Sequence, residues 1–152
     1  MFHKIFRAQT DYARCIDDNR LEEWPSYFAE QCLYKVTTAD NHRQGLEGAV
    51  MFADSRAALT DRVTALREAN VYERHTYRHI LGAPSVLSES NGQTQSETSF
   101  LIVRIMRDGT TELFETGRYL DLYEIEGESV VLKERRVICD SSRIDTLMAI
   151  PL

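Results

Sequence analysis

Apolar residues at helical spacing predict two helices near the start of the chain. In the first segment they form a loose stripe that can pack against a core. The stripe consists of Phe2, Ile5, Phe6, Ala13 and Ile16. A second, short helix is expected from Leu21, because Trp24-Pro25 places proline in a first turn, where its missing N–H does no harm.

A third helix has the clearest pattern in the chain. Leu59, Val63 and Leu66 fall at i, i+4 and i+7, the spacing that aligns side chains on one helix face. Asp54 is the expected N-cap, since a side-chain oxygen there can accept a backbone N–H of the first turn. We expect this helix to end near Asn70.

The second half of the chain has the pattern of hairpin-linked strands. Asn91-Gly92 and Asp108-Gly109 are tight-turn signals flanked by strand-like sequence, and Gly127 lies in a third candidate turn. Consecutive antiparallel strands are therefore predicted. A short strand is expected at 33–38, and longer strands are expected at 100–106, 113–123 and 130–139.

Helices first and a meander of strands afterwards predict an α+β fold, with N-terminal helices packed on one face of a curved, mostly antiparallel sheet. No repeat or linker interrupts the chain, and its 152 residues are the usual size of one domain. We therefore expect residues 1–152 to form a single domain. The apolar segment 144–152 ends in Ile150-Pro151-Leu152, so we expect it to be buried, in its own domain or under a partner.

Composition narrows the function classes. Eighteen Lys and Arg against 24 Asp and Glu give a net charge of −6 without a basic run, which argues against a nucleic-acid partner. No apolar run approaches the ~20 residues of a membrane span, and no secretory signal is recognisable, so we expect a cytoplasmic protein without membrane contact. Cys15, Cys32 and Cys139 are odd in number and widely separated, which favours reduced core residues.

Two histidines have the spacing of helical metal ligands. His75 and His79 stand at i and i+4, which on a helix brings two imidazoles to one ion. Thr76, Tyr77 and Ile80 favour a strand instead, and four strand residues span roughly 13 Å, too far for one ion. A structural or interface role is therefore the preferred interpretation.

An acid–base pair in the open mouth of the sheet is the stronger enzymatic alternative. Its candidates are Asp17, Asp40, His42, His79 and Asp140. Their spacing does not demand convergence, so ordinary surface carboxylates and partly satisfied histidines are the preferred interpretation. Nucleotide-binding loops, nucleophile elbows and cysteine pairs that could hold an iron–sulfur cluster are absent from the sequence. We therefore assign no catalytic, cofactor-binding or metal residue, and we expect any redox centre to lie in another chain.

The segment 72–79, Tyr-Glu-Arg-His-Thr-Tyr-Arg-His, combines aromatic and arginine side chains, the types that are enriched at protein interfaces. A solvated surface explains any one of these residues, but the cluster is more typical of a contact surface. With the apolar end of the chain it forms the predicted subunit interface. The predicted interface residues are Arg74, His75, Tyr77, Arg78, His79, Ile150 and Leu152.

Nearly the whole chain resembles the small (β) subunits of Rieske-type aromatic-ring-hydroxylating dioxygenases, through motifs whose order and spacing are together specific. These motifs are Trp24-Pro25 with Tyr27-Phe28, Tyr34-Lys35-Val36-Thr37, Leu59-Thr60-Asp61-Arg62-Val63 with Arg67, Tyr72 and Arg74 ahead of Arg78-His79, Gly117-Arg118-Tyr119-Leu120-Asp121, and Cys139-Asp140-Ser141. Further cues at 40–42, 66–75 and 145–152 point, within the family, to enzymes that act on aromatic carboxylates such as terephthalate.

The resemblance implies a nuclear transport factor 2-like (cystatin-like) cone and an assembly of three large (α) and three small (β) subunits, with contacts between β subunits. It also implies that a Rieske 2Fe-2S cluster and a mononuclear non-haem iron lie in the large subunit, supplied with NADH electrons by a separate reductase. This chain would then be a non-catalytic, structural subunit of an enzyme that inserts both atoms of O₂ into an aromatic carboxylate to give a cis-dihydrodiol.

Two alternatives come from other functional classes. One is a stand-alone isomerase or dehydratase of the same cone fold. The other is a ligand-binding or scaffolding domain of that fold without a dioxygenase partner. The first predicts turnover by the chain alone, whereas the dioxygenase interpretation requires a large subunit.

Overall fold

The fold is a seven-stranded sheet with helices on its inner face. A computed structural model describes residues 1–46, 48–69, 74–143 and 150–152. The elements in chain order are α1 (Phe2–Asp17), a 3₁₀ helix (Trp24–Tyr27), β1 (Phe28–Thr38), α2 (Ala39–Arg43), β2 (Met51–Ala53), α3 (Arg56–Ala69), β3 (His75–Leu81), β4 (Ser85–Ser90), β5 (Gln93–Met106), β6 (Thr111–Glu126) and β7 (Ser129–Cys139).

The strands follow the order β2-β1-β7-β6-β5-β3, and β4 also pairs with β5. All pairs are antiparallel except β1 with β7, which run parallel. Register shifts interrupt several ladders, and such bulges bend a strand and increase its twist. The predicted α+β fold with a curved, mostly antiparallel sheet is thus confirmed.

The tight turns form where the sequence predicted them. Asn91 and Gly92 join β4 to β5, and both have positive φ, 53° and 77°, as a two-residue turn with the twist of its flanking strands requires. Asp108-Gly109 closes the hairpin between β5 and β6, and Gly127 lies in the turn between β6 and β7. The four predicted strands fall within β1, β5, β6 and β7, each of which extends beyond its predicted bounds.

The first and third predicted helices form as α1 and α3. The short second helix is a 3₁₀ helix that begins at Trp24 instead of Leu21, with Pro25 in its first turn as predicted. The cap of α3 also differs from the prediction. Ser55, not Asp54, caps α3: its Oγ accepts the Ala58 N–H at 3.1 Å, because the helix begins one residue later than predicted. The predicted end near Asn70 lies outside the described residues. Among the described residues, no helix is long and apolar enough to cross a membrane.

The sequence predicted no bounds for three short elements, although the Asn91-Gly92 turn implied a strand before it. These are α2, β2 and β4. The three residues of β2 are too few to show a period, and β4 is almost wholly exposed, so it lacks the alternation of apolar and polar residues that marks a half-buried strand.

Aromatic side chains fill the space between the helices and the sheet. Trp24, Phe28 and Tyr34 meet edge to face, with ring centroids 5.2–5.9 Å apart. Such pairs contribute stability beyond the area they bury. Leu59 and Val63 of α3 join the same buried cluster, as the i, i+4 spacing predicted.

An ion pair lies at the centre of this apolar layer. Arg135 of β7 donates from Nε and Nη2 to the two carboxylate oxygens of Asp121 on β6, at 2.8 and 2.7 Å, and both side chains are completely buried. The guanidinium also contacts the rings of Tyr12 and Tyr119, 4.2 and 3.9 Å from their centroids. A bidentate fork and two aromatic faces offset the cost of removing this charge from water.

Gly117 allows two strands and an aromatic ring to approach closely. A Cβ at this position would lie 2.1 Å from the Ile138 carbonyl oxygen and 2.9 Å from Phe100 Cζ. Backbone atoms cannot rotate away from such a clash, so the sheet itself would have to shift.

We predict that Gly117→Ala lowers the free energy of unfolding by about 3 kcal/mol, because it overpacks a rigid site. Gly82→Ala is the matched control, since its Cβ would meet no atom nearer than 3.5 Å, and it should change stability by less than about 1 kcal/mol. Urea unfolding of the two variants measures both values. Equal stabilities would contradict the close approach at Gly117.

Candidate subunit interface and its buried supports

The strand period divides the predicted interface residues into two groups. Along β3, Tyr77 and His79 point inward and are 2% and 7% exposed, whereas Arg78 points outward. Arg74, just before the strand, is exposed, and His75 is half-buried. Tyr72 and Glu73 of the same segment lie outside the described residues.

Four of the seven predicted interface side chains therefore lie in the core of this chain. Besides Tyr77 and His79, these are Ile150 and Leu152. The prediction treated the segment 72–79 as one cluster, although a strand turns alternate residues to opposite faces. Arg74, His75 and Arg78 stay candidates for contact with a partner.

Arg74 and His75 of the predicted interface line a pocket of about 490 Å³. We call it the cationic pocket. Its described lining residues are Asn19, Leu66, Arg67, Arg74, His75, Thr76, Ile105, Met106 and Arg107. The Arg107 N–H donates to the Arg74 carbonyl at 3.1 Å, which holds the two residues side by side. Arg67 is fixed from the other side by Glu22, with Nε to Oε1 at 2.7 Å.

Asp17 and His79 are the two acid–base candidates that the structure brings together. Asp17 Oδ1 lies 2.6 Å from His79 Nδ1, and Asp17 Oδ2 accepts the His79 backbone N–H at 2.9 Å. Both side chains are almost fully buried. The carboxylate therefore fastens the end of α1 to β3 through both of its oxygens. His79 Nε2 is buried and has no hydrogen-bond partner among the described residues.

The other acid–base candidates lie elsewhere. Asp40 pairs with Arg43 on α2, and Asp140 is exposed and accepts the Thr116 hydroxyl at 2.9 Å. His42 lines a groove of about 270 Å³ on the outer face of the sheet. Burial lowers the pKa of His42, and nearby cations lower it further. The five candidates thus do not form one site.

His75 and His79 do not share an ion. They lie on a strand, as their neighbours predicted, and the ring of Tyr77 contacts both imidazoles, with centroid distances of 5.4 and 6.0 Å. More generally, the part of the chain that the structure describes holds no group of three His, Cys, Asp or Glu side chains that could bind a metal.

The three cysteines are free and buried, as predicted. Burial raises the pKa of the Cys15 thiol to about 11 and also raises the thiol pKa values of Cys32 and Cys139. All three are therefore protonated at neutral pH and are poor nucleophiles.

Residues 150–152 are held inside the cone by tyrosine hydroxyls. Tyr12 and Tyr34 donate to the Leu152 backbone oxygen at 2.9 and 3.1 Å, and the Leu152 N–H donates to the Tyr34 oxygen at 3.0 Å. Tyr77 donates to the Ile150 carbonyl at 3.2 Å. Of the two settings predicted for the apolar end, these residues take the first, burial in their own chain. Residues 144–149 of that segment lie outside the described residues.

We predict that Leu152→Ala lowers the free energy of unfolding by about 3 kcal/mol, because Leu152 is fully buried. Leu87→Ala removes the same atoms from a side chain that is 58% exposed, and it should change stability by less than about 0.5 kcal/mol. Thermal or urea unfolding compares them. If the two substitutions had equal effects, residues 150–152 would not be part of the core.

Glu115 is a buried carboxylic acid on the inner face of β6. It is 4% exposed, and its Oε2 has no hydrogen-bond partner among the described residues. Burial raises the pKa of Glu115 to about 7, although a hydrogen bond with Cys139 opposes the shift. The folded protein therefore holds a proton at Glu115 that the unfolded chain releases near pH 4.5.

This raised pKa predicts a pH-dependent loss of stability. Since the folded state binds this proton more tightly, protonated Glu115 contributes to the free energy of unfolding. That contribution is complete below about pH 4.5 and is lost as the pH rises through about 7. The loss should be on the order of 2 kcal/mol. Glu115→Gln, which cannot ionise, should remove this component when unfolding is measured from pH 5 to pH 8. Parallel profiles for variant and wild type would exclude Glu115 as its source.

The fold of the chain and its exposed arginines together define its class. The chain is a cone-shaped α+β domain of the nuclear transport factor 2-like kind, with an arginine-rich surface at one end of its sheet.

Comparisons with known proteins then identify the family. Residues 12–146 match the family model described as ring hydroxylating beta subunit. The chain is 49% identical over 141 residues to the terephthalate 1,2-dioxygenase terminal oxygenase component subunit beta 1 of Comamonas sp., covering 93% of this chain and 92% of that one. It is 33% identical over 149 residues to the anthranilate 1,2-dioxygenase small subunit of Burkholderia cepacia, covering 98% and 92%.

A solved structure supports the same assignment. The crystal structure of the β subunit of a proposed aromatic-ring-hydroxylating dioxygenase from Novosphingobium aromaticivorans superimposes with a TM-score of 0.92. The sequences are 38% identical, and the match covers 99% of this chain and 96% of the other. The chain therefore belongs to the family of ring-hydroxylating dioxygenase β subunits. A β subunit implies a large subunit as its partner.

Proposed function

We propose that this chain is the non-catalytic small subunit of a dioxygenase that acts on an aromatic carboxylate, with terephthalate as the first substrate to test. The observation that carries the proposal is the 49% identity to a terephthalate 1,2-dioxygenase β subunit over 93% of the chain. The anthranilate relative supports the broader class, because anthranilate is also an aromatic carboxylate.

The reaction of the complex would be NADH- and O₂-dependent cis-dihydroxylation of the ring. Activation of O₂ for this reaction requires a redox cofactor and a supply of electrons. The described residues of this chain include no group of three His, Cys, Asp or Glu side chains that could bind a metal, and its cysteines are protonated and separate. We therefore assign the Rieske 2Fe-2S cluster and the mononuclear iron to the large subunit, and electron delivery from NADH to a separate reductase.

The role of this chain would be assembly. Residues 1–152 would act as a single domain in a complex of three large and three small subunits, with contacts between small subunits as well. Arg74, His75 and Arg78 are available to contact the large subunit, since their side chains are not buried in the core. The complex would work in the cytoplasm, where NADH is available.

Co-expression with a candidate large subunit tests this proposal. We expect a stable complex with the mass of three large and three small subunits, all its iron in the large subunit, and turnover of terephthalate when a reductase and NADH are supplied. The small subunit purified alone should be colourless and inactive. A small chain that stays separate from every large subunit offered would overturn the proposal.

The paired Asp17 and His79 favour one alternative, a stand-alone isomerase or dehydratase. An imidazole that has a carboxylate on Nδ1, and whose Nε2 has no described hydrogen-bond partner, can act as a general base. However, neither residue lines the pockets described above, and both Asp17 oxygens already bind β3. Turnover by the small chain alone, lost in Asp17→Asn, is the result that would support this alternative.

A further inference from the structure

The cationic pocket concentrates positive charge in a chain whose net charge is −6. Three of its nine described lining residues are arginines, one is a histidine, and none is Asp or Glu. Leu66, Ile105 and Met106 give the same pocket an apolar portion. The lining therefore suits a group that carries negative charge next to apolar surface.

Two of the three arginines have no counter-ion among the described residues. Arg67 is partly neutralised by Glu22, whereas Arg74 and Arg107 form no ion pair within the described part of the chain. The hydrogen bond from the Arg107 N–H to the Arg74 carbonyl keeps their backbones together. Guanidinium groups bind carboxylates through paired, parallel hydrogen bonds. Two neighbouring cations that pair with no described carboxylate therefore make a site for one.

The surroundings of the pocket favour a protein segment as the occupant. The pocket lies at the start of β3, the terminal strand of the sheet path, and so next to an edge where a further chain can approach. Arginine and methionine are also enriched at protein interfaces. A small free acid would use the charge of the pocket but not the neighbouring edge.

We propose that the cationic pocket receives an acidic segment of the large subunit, an Asp or Glu side chain that binds Arg74 and Arg107 and is followed or preceded by an apolar side chain against Ile105 and Met106. This inference rests on the proposed function, because it names the chemistry by which the two subunits recognise each other.

A charge-reversal experiment tests the pocket. Arg74→Glu/Arg107→Glu should weaken association with the wild-type large subunit at least tenfold, and it should flatten the salt dependence of association, since opposite charges attract across the wild-type interface. Arg7→Glu/Arg143→Glu is the matched control: it makes the same change in net charge at two exposed arginines outside the pocket. We expect the control to stay within twofold of wild type.

A second variant separates the effect of charge on association from the effect of guanidinium geometry. It also keeps the test informative if the charge-reversal variant misfolds. Arg74→Lys/Arg107→Lys keeps both charges but removes the guanidinium forks, so it should bind with intermediate affinity. Unfolding curves of all variants report whether the small subunit remains folded. An unchanged affinity of the folded reversal variant, or an equal loss in the control, would overturn the inference.

Titration with free terephthalate examines the other source of a carboxylate. Saturable binding of terephthalate that the Arg74→Glu/Arg107→Glu variant loses, together with normal subunit association by that variant, would make the pocket a small-molecule site and overturn the inference. If the wild-type subunits themselves fail to associate, the proposed function fails with it. If they associate regardless of the pocket variants, only this inference fails.

Discussion

The guanidinium of Arg135 is the group on which the interior of this domain depends. A permanent charge lies where its side chain has no access to solvent, so every neighbour must help to compensate for lost hydration. Asp121 supplies the counter-charge from β6, and Tyr12 and Tyr119 cover the cation on two faces. This arrangement fixes α1, β6 and β7 relative to one another.

The same arrangement extends to residues 150–152. Tyr12 packs on Arg135 through its ring and donates its hydroxyl to the Leu152 backbone oxygen. Tyr34 binds the same oxygen from β1. The protein's own side chains, together with residues 150–152, therefore occupy the space between the helices and the sheet. Such an interior suits a subunit that contributes a rigid surface to a complex.

The local parts of the fold could be predicted from the sequence, because they depend on neighbouring residues. Asn91-Gly92 marked a turn, and the spacing of Leu59, Val63 and Leu66 marked a helix, since each signal lies within a few positions. The exposed β4 has no apolar alternation to mark it. No local signal joins Asp17 to His79, which are 62 residues apart and meet only when α1 packs on β3.

Two burial assignments could have been obtained with a stricter use of the strand period. Arg135 lies within the polar run Lys133-Glu134-Arg135-Arg136, which is typical of a solvated surface, yet it has the same parity as Val137 and therefore faces inward. Tyr77 and His79 likewise share one face of β3, opposite to Arg78. Composition predicted a surface for the segment 72–79 and is typical of one at 133–136, but only the two-residue period separates the inner from the outer residues.

The parallel pairing of β1 with β7 sets the order in which the protein can be built. Residues 33–38 form their ladder with residues 134–139, about a hundred positions later. Tyr12 and its partner Leu152 are 140 positions apart. During synthesis on the ribosome, α1 and β1 therefore emerge without their main partners, and the apolar surface around Trp24 and Phe28 stays open until β7 has been made. Contacts so distant in sequence slow folding and lengthen the exposure of aggregation-prone surface. A long-lived, partly exposed nascent chain is thus a direct consequence of this strand order.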